Sequence, residues 1–403
     1  MVKGLIDKNR REALILLCQD LVRCPSVSGS ERNLARLLAE TMYSLGFDDV
    51  NIDYYGNVTG KVFFARKGKR LLFEAQMDHV EVRDPSEWRY YPYGGILADG
   101  RIFGRGATDQ KGSLAAMIMA ASMLKHDMAD RLSGELVVAA TVQQERFEGV
   151  SSQLVMSACK PDYVVIGEAS DLKIERGQRG RAEIVIETCG KMAHSANPDF
   201  GINAAINMIS LVSRIRERFI PGEDRFLGKG ILELTNISSF PSNISGAIPD
   251  RCRSVFDRRL LLKETKEDVL REIEEIIEGA SSDIPGLEAS VNISRVEDHC
   301  YTGVPIVGDH FVPGWLFPGD HEFIRSSLQG LENAGLSSGL SPGAGFGTNG
   351  CYYGGVVHIP SIIFGPSSED LAHIKDEYIE VDALLKGCLG YYGIAGSVLS
   401  GQE

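Results

Sequence analysis

The chain has 403 residues, 43% hydrophobic and 24% charged, with a formal net charge of −13 at pH 7. That length exceeds one ordinary core and suggests two domains. The acidic balance excludes a nucleic-acid surface, which needs a basic stripe to displace counterions, and no apolar run is long enough to span a bilayer, so the expected partner is a small molecule.

The start, MVKGLIDKNRREAL, places charges where a secretory leader needs an apolar segment. Eight cysteines lie scattered from Cys18 to Cys388 with no C-x-x-C pair and read as reduced thiols. Both features indicate the cytoplasm. Leu14, Leu17 and Leu21 share a helical face, and CPSVSGSE then breaks the pattern, with Ser28 and Glu31 as a candidate capping box. A second amphipathic helix carries Leu34, Leu37, Leu38, Met42 and Leu45 and is ended by Gly46. VNIDYY and KVFFARKGKRLLFEA are expected to form a hairpin leading into a strand that runs out at Gln76, Asp78 and His79. The glycine turn DGRIFGRGATDQKGS then delivers Asp109 to the mouth of a helix over Ser113 to Lys125. By local rules alone Asp109 also suits a helix N-cap. Two further apolar strands, ELVVAATV and YVVIGEA, are each followed by an acid, Glu145 and Glu168. Strand and helix in alternation describe an open, mostly parallel α/β sheet, and acids after successive strands converge at its carboxyl edge.

Near Arg181 the texture changes. RAEIVIETCG, INAAINMISLVSRIRERF, ILELTNIS, CRSVFDRRLLL, TKEDVLREIEEIIEG and LEASVNISRV follow one another in βαββαβ order, a compact two-layer α/β unit. The expected organisation is a larger α/β domain from residues 1–180 and 297–403, with residues 181–296 inserted as a smaller domain. The returning segment carries a helix over His321 to Leu331, the strand SIIFG, His373 and a terminal helix. GFGTNG, from Gly345 to Gly350, satisfies G-x-G-x-x-G but follows a loop and not a strand, so a dinucleotide role is rejected.

The stretch around Gln76 and TDQKG, followed in order by TVQQERFEG, VVIGEAS, GKMAHSA and EDLAHIKDE, resembles the two-metal aminoacylase and carboxypeptidase G metallopeptidase family, which includes acetylornithine deacetylase and succinyl-diaminopimelate desuccinylase. The resemblance covers almost the whole chain. It implies that Asp109 bridges two ions, that Glu145 and His373 complete one site, and that Glu168 and a histidine complete the other. Zn is the ion it favours, with Mn or Co as alternatives and one or two ions per chain. It also implies a homodimer in which the inserted domain acts as lid and dimerisation element, with His194 polarising the scissile carbonyl from a second copy. Asn243 and Arg259 match positions that hold a substrate carboxylate.

Two positions depart from the family pattern. Gln76 stands where the second metal histidine belongs, with Asp78 behind it, and Asp78 is expected to accept from the Gln76 amide so that the Gln76 oxygen faces the ion. Gln144 stands where the general-base glutamate belongs, and an amide cannot take the water proton. Asp78 and Glu148 are the alternative bases. The expected activity is metal-dependent hydrolysis of an amide, peptide or ureido bond in a small acidic substrate; the alternative is a catalytically impaired member acting as a ligand-binding or regulatory protein.

Overall fold

A computed structural model describes residues 4–242, 246–341 and 347–400. The chain divides into two compact units, one comprising Met1–Gln178, Glu297–Val307 and Trp315–Glu403, the other Arg179–Val296 and Gly308–Gly314.

The first unit begins with helices α1 (Lys8–Arg23) and α2 (Arg32–Ser44). Its sheet is built from β1 (Asp49–Ile52), β2 (Val58–Phe63), β3 (Arg66–Gln76), β4 (Ser133–Thr141), β5 (Tyr163–Ile166) and β10 (Ser361–Ile363), in the order β1-β2-β4-β3-β5-β10. The expected hairpin is β1 with β2, Asp49 facing Lys61. The next strand does not continue it, because β4 lies between β2 and β3. From β4 to β10 every pairing is parallel. Parallel strands need covering on both faces, which is why their sequences are apolar almost throughout. On one face Phe73 meets Tyr391 of α8 (Val381–Val398) at 5.2 Å, and α3 (Gly112–Met128), buried nearly all round, packs between the sheet and α8. On the other, Leu72, Val137 and Val164 pack with Val155 of α4 (Ser152–Cys159), Trp315 and Tyr353. A further helix, α7 (Glu322–Asn333), starts with His321 as its N-cap and lies against α8.

The second unit alternates β6 (Gly180–Cys189), α5 (Ala204–Arg218), β7 (Ile231–Phe240), β8 (Arg251–Leu260), α6 (Lys266–Ser281) and β9 (Glu288–Ile293). The four strands run β7-β8-β6-β9, all antiparallel, the strand order of a ferredoxin-like two-layer unit. Strict alternation along β6 sends Ala182, Ile184 and Ile186 into a core shared with Met208, Leu211 and Ile215 of α5 and Ile273 and Ile277 of α6. Phe311 and Val312, from the segment that follows residue 297, add a short strand to β6.

One local expectation is overturned. Ser28 and Glu31 form no capping box: α2 has Glu31 at its N-cap without a side-chain cap bond, and both side chains are drawn elsewhere. All eight cysteines are free thiols, and among the described residues no helix is long and apolar enough to cross a membrane.

Candidate metal centre

β3 ends at Gln76, and the chain returns to that point through the turn before α3. Gly104 (φ 154°) makes the turn possible, since a Cβ there would stand 2.3 Å from Val22 Cγ1. Glu377 then anchors it: Oε1 accepts from the backbone N–H of Thr108 (2.9 Å) and Asp109 (3.1 Å), while Oε2 pairs with the buried Arg105 at 2.6 Å. The N-cap of α3 is Lys111, so Asp109 (φ −122°, ψ 91°) is not its cap; the Asp109 carboxylate points instead at Gln76, Glu145 and His373.

A second turn presents Glu145. Gln143 takes φ 60°, a left-handed conformation that costs a side-chain-bearing residue roughly 1–2 kcal/mol. The result is that the backbone N–H groups of Gln144 and Glu145 both donate to Asp78, at 3.0 and 3.1 Å, and Ser28 Oγ donates to it at 2.7 Å. Asp78 is therefore not the partner of the Gln76 amide, as expected above, but the peg that holds the 143–145 turn; its three bonds also leave it ill suited as a base. Burial pushes its carboxyl up to about 6. Glu31 accepts from the Gln143 N–H (3.1 Å), and burial beside Asp78 raises it to about 8. His79 accepts from Ser26 N–H at Nε2 and meets Val80 O at Nδ1, a neutral imidazole that burial holds down to about 3.

Asp109, Glu145 and His373 form one group whose candidate ligand atoms lie within 4.8 Å of one another. His373 Nε2 is 3.0 Å from Asp109 Oδ2 and 3.2 Å from Glu145 Oε1. His373 is held at φ 61°, and its side chain is half exposed, so the group opens to solvent. Strained backbone at a cluster of polar side chains is a common property of functional sites. The two carboxylates raise His373 to about 10, and burial with the charge of Asp109 raises Glu145 to about 7. Two carboxylates and an imidazole are a donor set for Zn²⁺, Mn²⁺ or Co²⁺, and a cation at their centre would relieve the like-charge crowding that lifts Glu145.

Glu168, buried after β5, belongs to no such group among the described residues. Burial and the charges of Asp109 and Glu145 raise its carboxyl well above the usual range, and among the described residues its Oε2 has no partner. Between Glu168 and Asp109 lie two amides. Gln110 Nε2 donates to Gln76 Oε1 at 2.8 Å, and Gln76 Nε2 faces Asp109 Oδ1 at 2.9 Å and Glu145 Oε1 at 3.4 Å. The donor set thus fits one ion at Asp109, Glu145 and His373, whereas on the other side of Asp109 an amide hydrogen faces Oδ1 and, among the described residues, no imidazole joins Glu168 in a ligand group.

Gln144, 5% exposed, sits beside this group through its own turn. In the other unit, His194 is exposed and its Nδ1 accepts from Ala196 N–H at 3.1 Å. Arg259 Nε donates to Asp257 Oδ1 at 2.7 Å, and Arg181 Nε donates to the other oxygen of that carboxylate at 2.8 Å. Asn243 lies outside the described residues, as do Gly345 and Phe346; the rest of that glycine loop includes Asn349, whose amide bonds the buried Glu74 at 2.7 Å. Gln110, Glu377, Ser28 and Glu31 were not singled out from sequence for this site. Gln110 adjoins Asp109 in TDQKG, and Glu377 lies in the IKDE run beside His373; neither carries a local signal of its contacts.

The sequence model of peptidase family M20/M25/M40 matches residues 72–396. The uncharacterized protein YgeY of Escherichia coli strain K12 is 33% identical over 363 residues, 89% of this chain and 88% of that protein. Succinyl-diaminopimelate desuccinylase 2 of a Ruegeria species is 25% identical over 313 residues, 75% of this chain and 74% of that enzyme. Among solved structures, the aminopeptidase PepT of Bacillus cereus superposes with a TM-score of 0.75 at 20% identity, covering 98% of this chain and 100% of that one. The Bacillus subtilis YXEP protein, described as a dinuclear metal-binding peptidase, gives 0.73 at 15% identity over 98% and 99%.

Proposed function

The chain belongs to peptidase family M20/M25/M40, and from that premise we propose that it is a cytoplasmic, divalent-metal-dependent hydrolase of an amide, peptide or ureido bond in a small substrate. The observation that carries the reading is the convergence of Asp109, Glu145 and His373, from three distant stretches inside the matched region, on one point. When bound there, a divalent ion supplies Lewis acidity at the substrate carbonyl. The chain supplies the rest. Glu377 and Asp78 hold the two carboxylate-bearing turns in place, so that no reorganisation is needed as charge develops. A groove of about 550 Å³ borders His373 and carries Trp88, Arg83, Lys375, Glu81 and Asp84, charges of both signs that suit a small polar substrate. With Asp78 committed to three hydrogen bonds, Glu148 is the carboxylate we assign as base in place of Gln144. His194 of a second copy would stabilise the oxyanion, and Arg259 and Asn243 would receive a substrate carboxylate. Association of two copies is supported by the edge strand β7, with Ile231 and Ile237 exposed, and by exposed Ile206 and Ile209 on α5.

One observation favours a second reading, binding without turnover: Gln144 places an amide where the family resemblance expects a base. The two separate in one assay. Metal-depleted protein is supplied with Zn²⁺, Mn²⁺ or Co²⁺ and screened on N-acyl and N-carbamoyl amino acids and dipeptides. Turnover that depends on metal and falls on the order of 10²-fold or more in Glu148→Gln supports the hydrolase and its base. A compound bound tightly with no turnover, and turnover restored by Gln144→Glu, supports the second reading.

A further inference from the structure

We propose that this chain holds a single catalytic cation, and that the Gln76–Gln110 amide pair occupies the side of Asp109 where a second ion would lie. The inference rests on the metallohydrolase reading above and departs from the dinuclear metal binding described for the structurally similar Bacillus subtilis protein. Its basis is a chain of donors and acceptors with only one consistent direction. The backbone N–H of Gln76 donates to Gln110 Oε1 at 3.2 Å, which settles which end of the Gln110 amide is oxygen. Gln110 Nε2 must then donate, and it does so to Gln76 Oε1 at 2.8 Å. That bond in turn leaves Gln76 Nε2 to face Asp109 Oδ1 and Glu145 Oε1, both acceptors.

Rotating the Gln76 amide to offer its oxygen to an ion would set that oxygen against two carboxylates and leave two N–H groups of the pair facing each other. Gln76, Gln110 and Asp109 are buried, so water cannot readily repair the loss, and an unpaired buried donor costs roughly 1–3 kcal/mol. The two oxygens of Asp109 are consequently divided. Oδ2 faces His373 and is open to a cation, while Oδ1 is taken by an amide hydrogen. Glu168, which a second ion would need, belongs to no group of candidate ligands among the described residues. The amide pair therefore links Asp109 and Glu145 to the end of β3 without a metal ion.

The test is the stoichiometry of Co²⁺ binding to the metal-depleted full-length chain, by titration calorimetry and elemental analysis. One equivalent per chain is expected, and two equivalents for Gln76→His, which replaces the amide with an imidazole. Should Gln76→His fold poorly, electron paramagnetic resonance of the Mn²⁺-loaded wild type decides: an isolated six-line spectrum supports a single ion, and an exchange-coupled spectrum overturns it. Two equivalents in the wild type overturn the one-ion inference and leave the hydrolase reading standing. No stoichiometric binding overturns the metal site itself.

Discussion

The two sides of Asp109 are built from similar materials to opposite ends. On one, Asp109 Oδ2, Glu145 and His373 leave three ligand atoms facing each other at the half-exposed rim of the sheet, where a cation can enter. On the other, Oδ1, Glu168, Gln76 and Gln110 are buried, and an amide hydrogen already occupies Oδ1. Clustered carboxylates alone therefore do not make a metal site. What distinguishes the two sides is whether the neighbouring side chain can exchange its hydrogen for a cation: the His373 imidazole can lose its proton and offer a lone pair, whereas an amide N–H cannot, and an imidazole in place of Gln76 would remove the difference.

Asp109→Ala is the largest perturbation, because it removes the residue that both sides share. Co²⁺ affinity is expected to fall by more than about 100-fold, with all metal-dependent turnover lost, as read by calorimetry and assay. Arg105→Met comes next. It strands Glu377 in a buried position with only backbone partners, and breaking such a pair typically costs about 3–5 kcal/mol, measurable by urea denaturation. If stability is unchanged, Glu377 is not the fixed support of the Asp109 turn. The pH response probes the buried segment that follows β3. His79 stays neutral in the folded chain because its affinity for a proton is lowered to about 3 from an ordinary 6.5, whereas the unfolded chain protonates at the ordinary value. The stabilisation is thus full above about pH 6.5 and is lost as pH falls towards 3. Each tenfold loss of proton affinity is worth about 1.4 kcal/mol, so the whole effect is on the order of a few kcal/mol, and the difference between wild type and His79→Gln at about pH 7 and about pH 5 isolates it. Ser28→Ala is the mildest change. It removes one of three bonds to Asp78 and is expected to cost about 1 kcal/mol and to weaken Co²⁺ binding slightly, since the backbone donors of Gln144 and Glu145 remain.

Much of this molecule is legible without coordinates. Apolar runs of strand length followed by lone acids place Glu145 and Glu168 after successive strands, and the strand-and-helix rhythm of residues 181–296 specifies a two-layer unit, because side-chain periodicity is set by local backbone geometry. Where the reading failed, a local pattern had a distant competitor. Ser28 and Glu31 have the spacing of a capping box, but Asp78 and the Gln143 N–H, some fifty and more than a hundred residues away, claim their side chains instead. The same holds for Asp78, assigned to Gln76 two residues before it and found on the turn at Gln144 and Glu145.

By itself the order of residues determined which elements form, which chemistry-bearing groups end up at the sheet edge, and that two expected groups, an imidazole and a carboxylate, had become amides. Only the tertiary structure decided which way the Gln76 amide points. Its direction depends on the Gln110 side chain, brought from the far side of a long loop to the backbone N–H at the end of β3, and no property of either glutamine alone encodes that meeting.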